Sequence, residues 1–189
     1  MKIVKKEDFF AKKEFFISEM EKGRIFIYPT DTIYGIGCDA LNGGAVMKIR
    51  ELKKRENKPF SVIVPSIAWI RKNCFVDSLA EKWLEKLPGK YTFVLKLRNL
   101  NAVNSVVNGG RDSLGVRIPA NWFASIISKL GKPFVTTSVN FSGEKNMEKL
   151  EDLDDFIKSK VDYAVYEGPL ERRASSIVSL IDGKEKILR

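Results

Sequence analysis

The sequence predicts one α/β domain built on a twisted, mixed β-sheet flanked by helices. Three observations predict it. Short apolar runs of strand length recur along the chain, with amphipathic stretches of helix length between them. Two runs alternate with period two, whereas others are apolar throughout, as a sheet with helices packed on it requires. No repeat, low-complexity linker or shift in composition divides the chain, so residues 1–189 read as a single domain.

In chain order, residues 8–22 predict an amphipathic helix with Phe9, Phe16, Ile17 and Met20 on one face and Gly23 as its stop. Residues 24–28, RIFIY, form a short buried strand. Asn42 caps a helix running to Leu52, with Val46, Ile49 and Leu52 inward. PFSVIV, residues 59–64, is the next strand. Asp77 caps a helix carrying Leu79, Ala80, Trp83, Leu84 and Leu87, which Pro88-Gly89 ends. In YTFVLKL, residues 91–97, Tyr91, Phe93, Leu95 and Leu97 lie opposite Thr92, Val94 and Lys96. SLGVRIP repeats the pattern, with Leu114, Val116 and Ile118 opposite Ser113, Gly115 and Arg117. Asn121 is the expected cap of a helix with Phe123, Ile126, Ile127 and Leu130 inward, closed by Gly131. PFVTT is a strand, and residues 144–155 are a charged loop with a short helix. DYAVY, SSIVSLI and EKILR are closing strands, the last two joined across Asp182-Gly183 as a hairpin.

Composition narrows the chemistry. Apolar residues make up 44% of the 189, enough for a sizeable core. The net charge of +9 fits an anionic partner such as a nucleotide, pyrophosphate or RNA, and equally a lysine-rich solvated surface. Cys38 and Cys74 alone make neither a disulfide framework nor a zinc site. The absence of histidine excludes Ser-His and Cys-His nucleophile pairs and histidine metal sites. No residue is therefore assigned as a catalytic nucleophile or acid–base, and none as a metal ligand. The N-terminus holds no apolar stretch long enough for a signal peptide, and no run approaches a membrane span. The expectation is a cytoplasmic protein.

Five stretches could carry function. YPTDTIYGIG, residues 28–37, follows a strand and places Thr30, Asp31, Thr32 and Tyr34 where ligands bind in open α/β sheets. A self-bonded turn with Asp31 capping its own backbone would need much the same residues. KKRENKP, residues 53–59, gathers four cations that could meet phosphates directly or form a solvated helix end. Ser113 and Arg117 share one strand face with Gly115 between them, which leaves space for a ligand. An arginine on an apolar strand needs an anion, either a ligand carboxylate or an acidic side chain. TTSVNFSG, residues 136–143, adds hydroxyls and the amide of Asn140, and SSIVSL opens with Ser175 and Ser176.

These motifs, with PGKYTFVLK and LGVRIP and in this order, resemble those of the YrdC/Sua5/TsaC family over residues 23–189. The resemblance implies a single YrdC-like domain, in the short form of the family. It implies an L-threonylcarbamoyladenylate synthase, a nucleotidyltransferase. Such an enzyme takes L-threonine, bicarbonate or CO2, and ATP, releases pyrophosphate, and feeds the t6A modification of tRNA at position 37. By position, Thr32, Arg117, Ser138 and Ser175 would contact threonine. Lys53, with Lys54 beside it as the alternative, would meet ATP together with Arg55, Lys58, Ser113, Asn140 and Arg189. Mg²⁺ would arrive with ATP, and the downstream t6A transferase machinery would receive the product. Where the family has proline after the motif arginine this chain has Glu56, Ser-Ala-Asn reads Ser138-Val139-Asn140, and the Ser-Pro-Thr stretch after Ser-Gly is absent.

Two other readings compete. The charge fits a tRNA- or double-stranded-RNA-binding module without catalysis, although no stacking-aromatic RNA motif is present. Carbamoyl-adenylate transfer to another acceptor, as in hydrogenase maturation, would come with zinc-finger and acylphosphatase parts that this chain lacks.

Overall fold

The computed structural model describes residues 1–55, 58–141 and 144–189. The first elements are β1 (Lys2–Lys5), α1 (Lys6–Ala11), α2 (Lys13–Glu21), β2 (Phe26–Tyr28), β3 (Gly35–Gly37), α3 (Gly43–Leu52) and β4 (Ser61–Ile63). Then follow α4 (Ile67–Asn73), α5 (Ser78–Leu84), β5 (Tyr91–Lys96), α6 (Ser105–Asn108), β6 (Ser113–Arg117), α7 (Phe123–Leu130) and β7 (Phe134–Ser138). A 3₁₀ turn (Leu150–Asp152), α8 (Asp155–Lys160), β8 (Tyr163–Tyr166), β9 (Ser176–Ser179) and β10 (Lys186–Ile187) close the chain.

The strands form a 10-stranded sheet in the order β1-β8-β2-β3-β7-β4-β6-β5-β9-β10. It is mixed, as predicted: β4 runs parallel to β6 and antiparallel to β7, and β5 runs antiparallel to β6 and parallel to β9. The caps at Asn42 and Asp77 accept from Ala45 N and Ala80 N. Asp182 (φ 55°) and Gly183 (φ 68°) both take the left-handed conformation that a tight hairpin turn needs.

Several elements differ from the sequence reading. The first helix begins at Lys6 and breaks at Lys12, whose φ and ψ of −117° and 31° leave the helical region. Asn121 does not cap α7. Its Nδ2 donates to Pro29 O (2.8 Å), which ties the exit of β6 to the loop after β2. β1 is too short to read from sequence, and it owes its place to parallel pairing with β8. α4 has a serine cap, Ser66 accepting from Trp69 N, that passed unread. β3 lies inside the glycine-rich stretch, where pattern gives no strand signal. A Cβ on Gly37 would stand 1.8 Å from Val135 O, so this glycine allows β3 to approach β7 rather than a ligand.

Two cores sit on opposite faces of the sheet. Ile27, Ile36, Val62 and Val135 belong to the larger one. Their strand neighbours Phe26, Tyr28, Ile63 and Phe134 belong to the other, which Phe9, Phe16 and Met20 of α1 and α2, and Phe123 and Ile127 of α7, complete. Tyr28 stacks on Phe123 with ring centroids 3.9 Å apart. These helices cover only one end of their face. Across β7, β4, β6, β5 and β9 the same face continues with small polar residues, and there the cleft lies. Among the described residues, no helix is long and apolar enough to cross a membrane.

Candidate functional site

Strand register builds the cleft. Cross-strand partners share a sheet face, and so do residues two apart. Gly35 faces Ser138, Thr136 faces Ser61, and Ser61 faces Gly115. Arg117 is two residues beyond Gly115, Thr92 lies opposite Arg117, and Ile177 lies beside Thr92. One continuous row thus crosses six adjacent strands and forms the floor of the cleft. The loop after β2 with Thr30 and Thr32, the basic segment with Arg55, and Ser175 and Arg189 make its walls. The enclosed volume is about 130 Å³. Sites for whole small molecules usually span roughly 300–1,000 Å³. The closed part suits one small polar group, with the rest of a larger ligand outside it.

Arg55, Arg117 and Arg189 line this cleft, and no Asp or Glu side chain is among its described lining residues. Each guanidinium has a protein partner. Arg55 donates to Pro59 O (2.6 Å) and Lys58 O (3.2 Å) and lies over the ring of Phe60. Arg189 donates from Nε and Nη2 to Ser175 O (3.1 and 3.0 Å). Arg117 donates from Nη2 to Asp31 Oδ1 (2.5 Å), and its Nη1 is 3.4 Å from Thr32 Oγ1. Its Nε is buried with no hydrogen-bond partner among the described residues. Burial pushes the pKa of all three arginines down, helped by Arg50 at Arg55 and opposed by Asp31 at Arg117. They stay cationic at any working pH.

The hydroxyls have assignable directions. Thr30 Oγ1 donates to Ile33 O (2.7 Å) and accepts from Thr32 N (3.1 Å). Its one proton is then committed, so in the Thr30–Thr32 contact (2.9 Å) Thr32 is the donor. Thr32 therefore offers the cleft lone pairs, suited to an ammonium or amine. Ser175 Oγ and Thr92 Oγ1 bond each other (2.9 Å), both buried.

Of the residues picked from sequence, Thr32, Arg55, Arg117, Ser138, Ser175 and Arg189 line the cleft, and Lys53, Lys58, Ser113 and Asn140 do not. Lys53 is 1% exposed and donates to Ser138 O (2.5 Å), Asn140 O (2.7 Å) and Asn140 Oδ1 (2.9 Å). It holds the end of β7 in place, while Lys54 lies over Phe141 at the surface. Burial, and Arg55 nearby, push the Lys53 pKa down to about 7. Asn140 Oδ1 also accepts from Ser138 Oγ (2.6 Å). Lys58 is exposed, its carbonyl held by Arg50 and Arg55. Ser113 begins β6 opposite Lys96, four residues and so about 13 Å from Arg117. Glu56 and Asn57 of the basic segment, and Ser142 and Gly143 of TTSVNFSG, lie outside the described residues.

Some features of the site go unread in the sequence, and one expectation fails. Thr92 and Ser61 were placed on strands but not in a site, because only pairing brings them beside Arg117 and Gly115. The gap expected beside Gly115 is filled: a Cβ there would meet Ser61 Oγ at 2.5 Å. Arg50, 7% exposed, donates to Val106 O (2.9 and 2.6 Å) and Arg55 O (3.2 Å) and so braces the segment bearing Arg55. Asp31 does not cap its own turn. Thr30 does that, and Asp31 takes the buried ion pair with Arg117.

Comparison with known proteins places the chain in one family. A family model described as telomere recombination, Sua5/YciO/YrdC, matches residues 18–189. A Methanocaldococcus jannaschii protein, provisionally named a threonylcarbamoyl-AMP synthase, is 37% identical over 175 residues, covering 90% of this chain and 81% of that protein. The crystal structure of P. abyssi Sua5 complexed with L-threonine superposes with a TM-score of 0.87 at 25% identity. It covers 100% of this chain, which spans only 56% of the Sua5 chain. E. coli YciO has the same fold, with a TM-score of 0.86 at 23% identity over 100% of this chain and 93% of YciO.

Proposed function

Because the chain belongs to the Sua5/YciO/YrdC family, we propose that it is an enzyme that makes L-threonylcarbamoyladenylate from L-threonine, bicarbonate or CO2, and ATP. The observation that carries this reading is the cleft itself. Three arginines and a row of hydroxyls converge on a narrow space with no Asp or Glu side chain in its described lining. That lining fits a ligand with several anionic groups and one small polar head. The name of the M. jannaschii relative and the threonine bound to P. abyssi Sua5 support the same substrates.

In this reading the threonine carboxylate binds at Arg117, and its amine meets the lone pairs of Thr32. The amine nitrogen attacks the carbon of CO2 and loses a proton, giving a carbamate. A carbamate oxygen then attacks the α-phosphorus of ATP, and the bond to the β-phosphate breaks as pyrophosphate leaves. Charge grows on the leaving phosphates, where Arg55 and Arg189 would stabilise it. Among the described residues no three His, Cys, Asp or Glu side chains gather as a metal site. Mg²⁺ would enter as ATP's counter-ion and neutralise phosphate charge. Holding a short-lived carbamate in line, away from water, is the main demand on the protein, and it needs no histidine. The product would serve t6A formation on tRNA.

The test is pyrophosphate release in the purified protein, with the nucleotide product identified by mass. Release should need both L-threonine and bicarbonate. Equal turnover with L-serine, or none with either amino acid, would refute the assignment.

A further inference from the structure

Asp31, a buried acid, has three fixed attachments. Its Oδ1 accepts from Arg117 Nη2 (2.5 Å), and its Oδ2 accepts from Ala120 N (2.9 Å). Its backbone carbonyl accepts from Arg172 Nη1 (3.3 Å). It is 4% exposed, and Arg117 is 5% exposed. Ala120 lies three residues past the end of β6, the strand that carries Arg117. One carboxylate therefore bonds the guanidinium with one oxygen and the main chain beyond it with the other. That closes a small loop around the arginine.

Arg117 needs such a fixture. Its strand neighbours on this face are Gly115, Ile63 and Thr92, none of which carries a charge to hold the guanidinium in one pose. Thr32 touches it only at 3.4 Å, and its Nε has no partner among the described residues. Asp31 supplies the one short contact to the guanidinium and, being monodentate, leaves most of its N–H groups unused. The carboxylate cannot swing aside without giving up Ala120 N. It is built as a post and not as a placeholder that a ligand displaces.

We propose that Asp31 is a positioning residue: it fixes the Arg117 guanidinium beside Thr32 so that the carboxylate of the amino-acid substrate is received in a single orientation. This rests on the threonine-binding reading given above. It adds a determinant of substrate pose that no cleft-lining side chain supplies. A purely structural ion pair predicts something else. Breaking it would lower stability, while the folded fraction would bind threonine as before.

Two variants separate these possibilities. Asp31→Glu keeps the charge and pushes the guanidinium by one methylene, and Asp31→Asn keeps the shape and removes the charge. Titration calorimetry with L-threonine, and separately with ATP, would be run on the wild type and on both variants, each checked by a thermal melt. Weakening one charge-assisted contact to a ligand costs about tenfold or more in affinity. Threonine affinity should fall about tenfold or more in Asp31→Glu, with the melting temperature near that of the wild type and ATP affinity within twofold. Asp31→Asn should lose threonine affinity and stability together. Unchanged threonine affinity in folded Asp31→Glu would overturn the positioning role and leave the assigned reaction intact. A wild type that binds ATP but not L-threonine would instead overturn the substrate reading, and this role with it.

Discussion

Replacing Arg117 by methionine tests stability and recognition at once. The side chain is removed from a pair that is 6% and 5% exposed, and Asp31 is left with Ala120 N as the only remaining partner of its carboxylate among the described residues. Breaking a buried pair from one side costs about 3–5 kcal/mol, because the charge left behind has lost its compensation. For a chain of this length each kcal/mol moves the melting temperature by about 2–4 °C, so Arg117→Met should melt roughly 6–20 °C lower. The methionine stem keeps most of the packing, and little of that loss is cavity. Adding Asp31→Asn removes the orphaned charge and should return about 1–3 kcal/mol. Threonine affinity should not return with it. A lost charge-assisted contact of about 2–3 kcal/mol is a drop of roughly 30- to 150-fold in both the single and the double variant. Thermal melts and threonine titrations on the wild type and the two variants give all the numbers. If the double variant is less stable than the single, Asp31 is not held chiefly by Arg117. If threonine binds Arg117→Met within twofold of wild type, the carboxylate is received elsewhere.

Arg189→Ala should raise the KM for ATP several-fold, for a contact worth about 1 kcal/mol, with little change in melting temperature. An unaltered ATP dependence would return that arginine to the surface. Lys53 has a folded pKa lowered to about 7 from 10.5, so its buried charge is a cost that is fully present below pH 7 and is relieved as pH rises towards 10.5. The stability of wild type relative to Lys53→Met should therefore increase between pH 6.5 and 9.5 in urea melts, and a flat difference would contradict the burial. Gly37→Ala sets a methyl 1.8 Å from Val135 O and should destabilise the sheet by several kcal/mol, whereas Gly44→Ala, with its nearest neighbour at 3.5 Å, should not. Comparable melting temperatures for the two would show that β3 and β7 can part freely.

Much of this was legible in the sequence, for physical reasons. Caps at Asn42 and Asp77 are local, and so are the period-two strands and the Asp182-Gly183 turn, so a single chain displays them. The order of the motifs identified the cleft walls, and Thr32, Arg55, Arg117, Ser138, Ser175 and Arg189 do meet there. What failed depended on contacts distant in sequence. β1 exists only because β8 pairs with it, and Thr92 joins the site only because it lies opposite Arg117. The alternatives left open at Arg117, ligand anion or internal acid, were both sound chemistry. The structure fills one of them with Asp31, 86 residues away.

That partner changes how the cleft should be understood. A free arginine would have to be frozen by its ligand, at a cost in rotamer entropy of order 1–2 kcal/mol for each long side chain. Here the freezing is done by the fold. Arg189 bonds a single carbonyl through two nitrogens, Arg55 bonds two carbonyls and lies over Phe60, and Arg117 bonds one carboxylate oxygen. Every guanidinium has five N–H donors, so each retains several after these contacts. A ligand can use those without displacing the protein's own acceptors, and it meets donors already pointing one way. Two further cations, Arg50 and Lys53, never reach the cleft, yet their bonds to Val106, Ser138 and Asn140 fix the backbone from which Arg55 and Ser138 project. The cations of this region thus divide into those that line the cleft and those that brace it. Neutralising a bracing residue should then move the affinity for both substrates together, whereas neutralising a cleft arginine should move the affinity of one substrate.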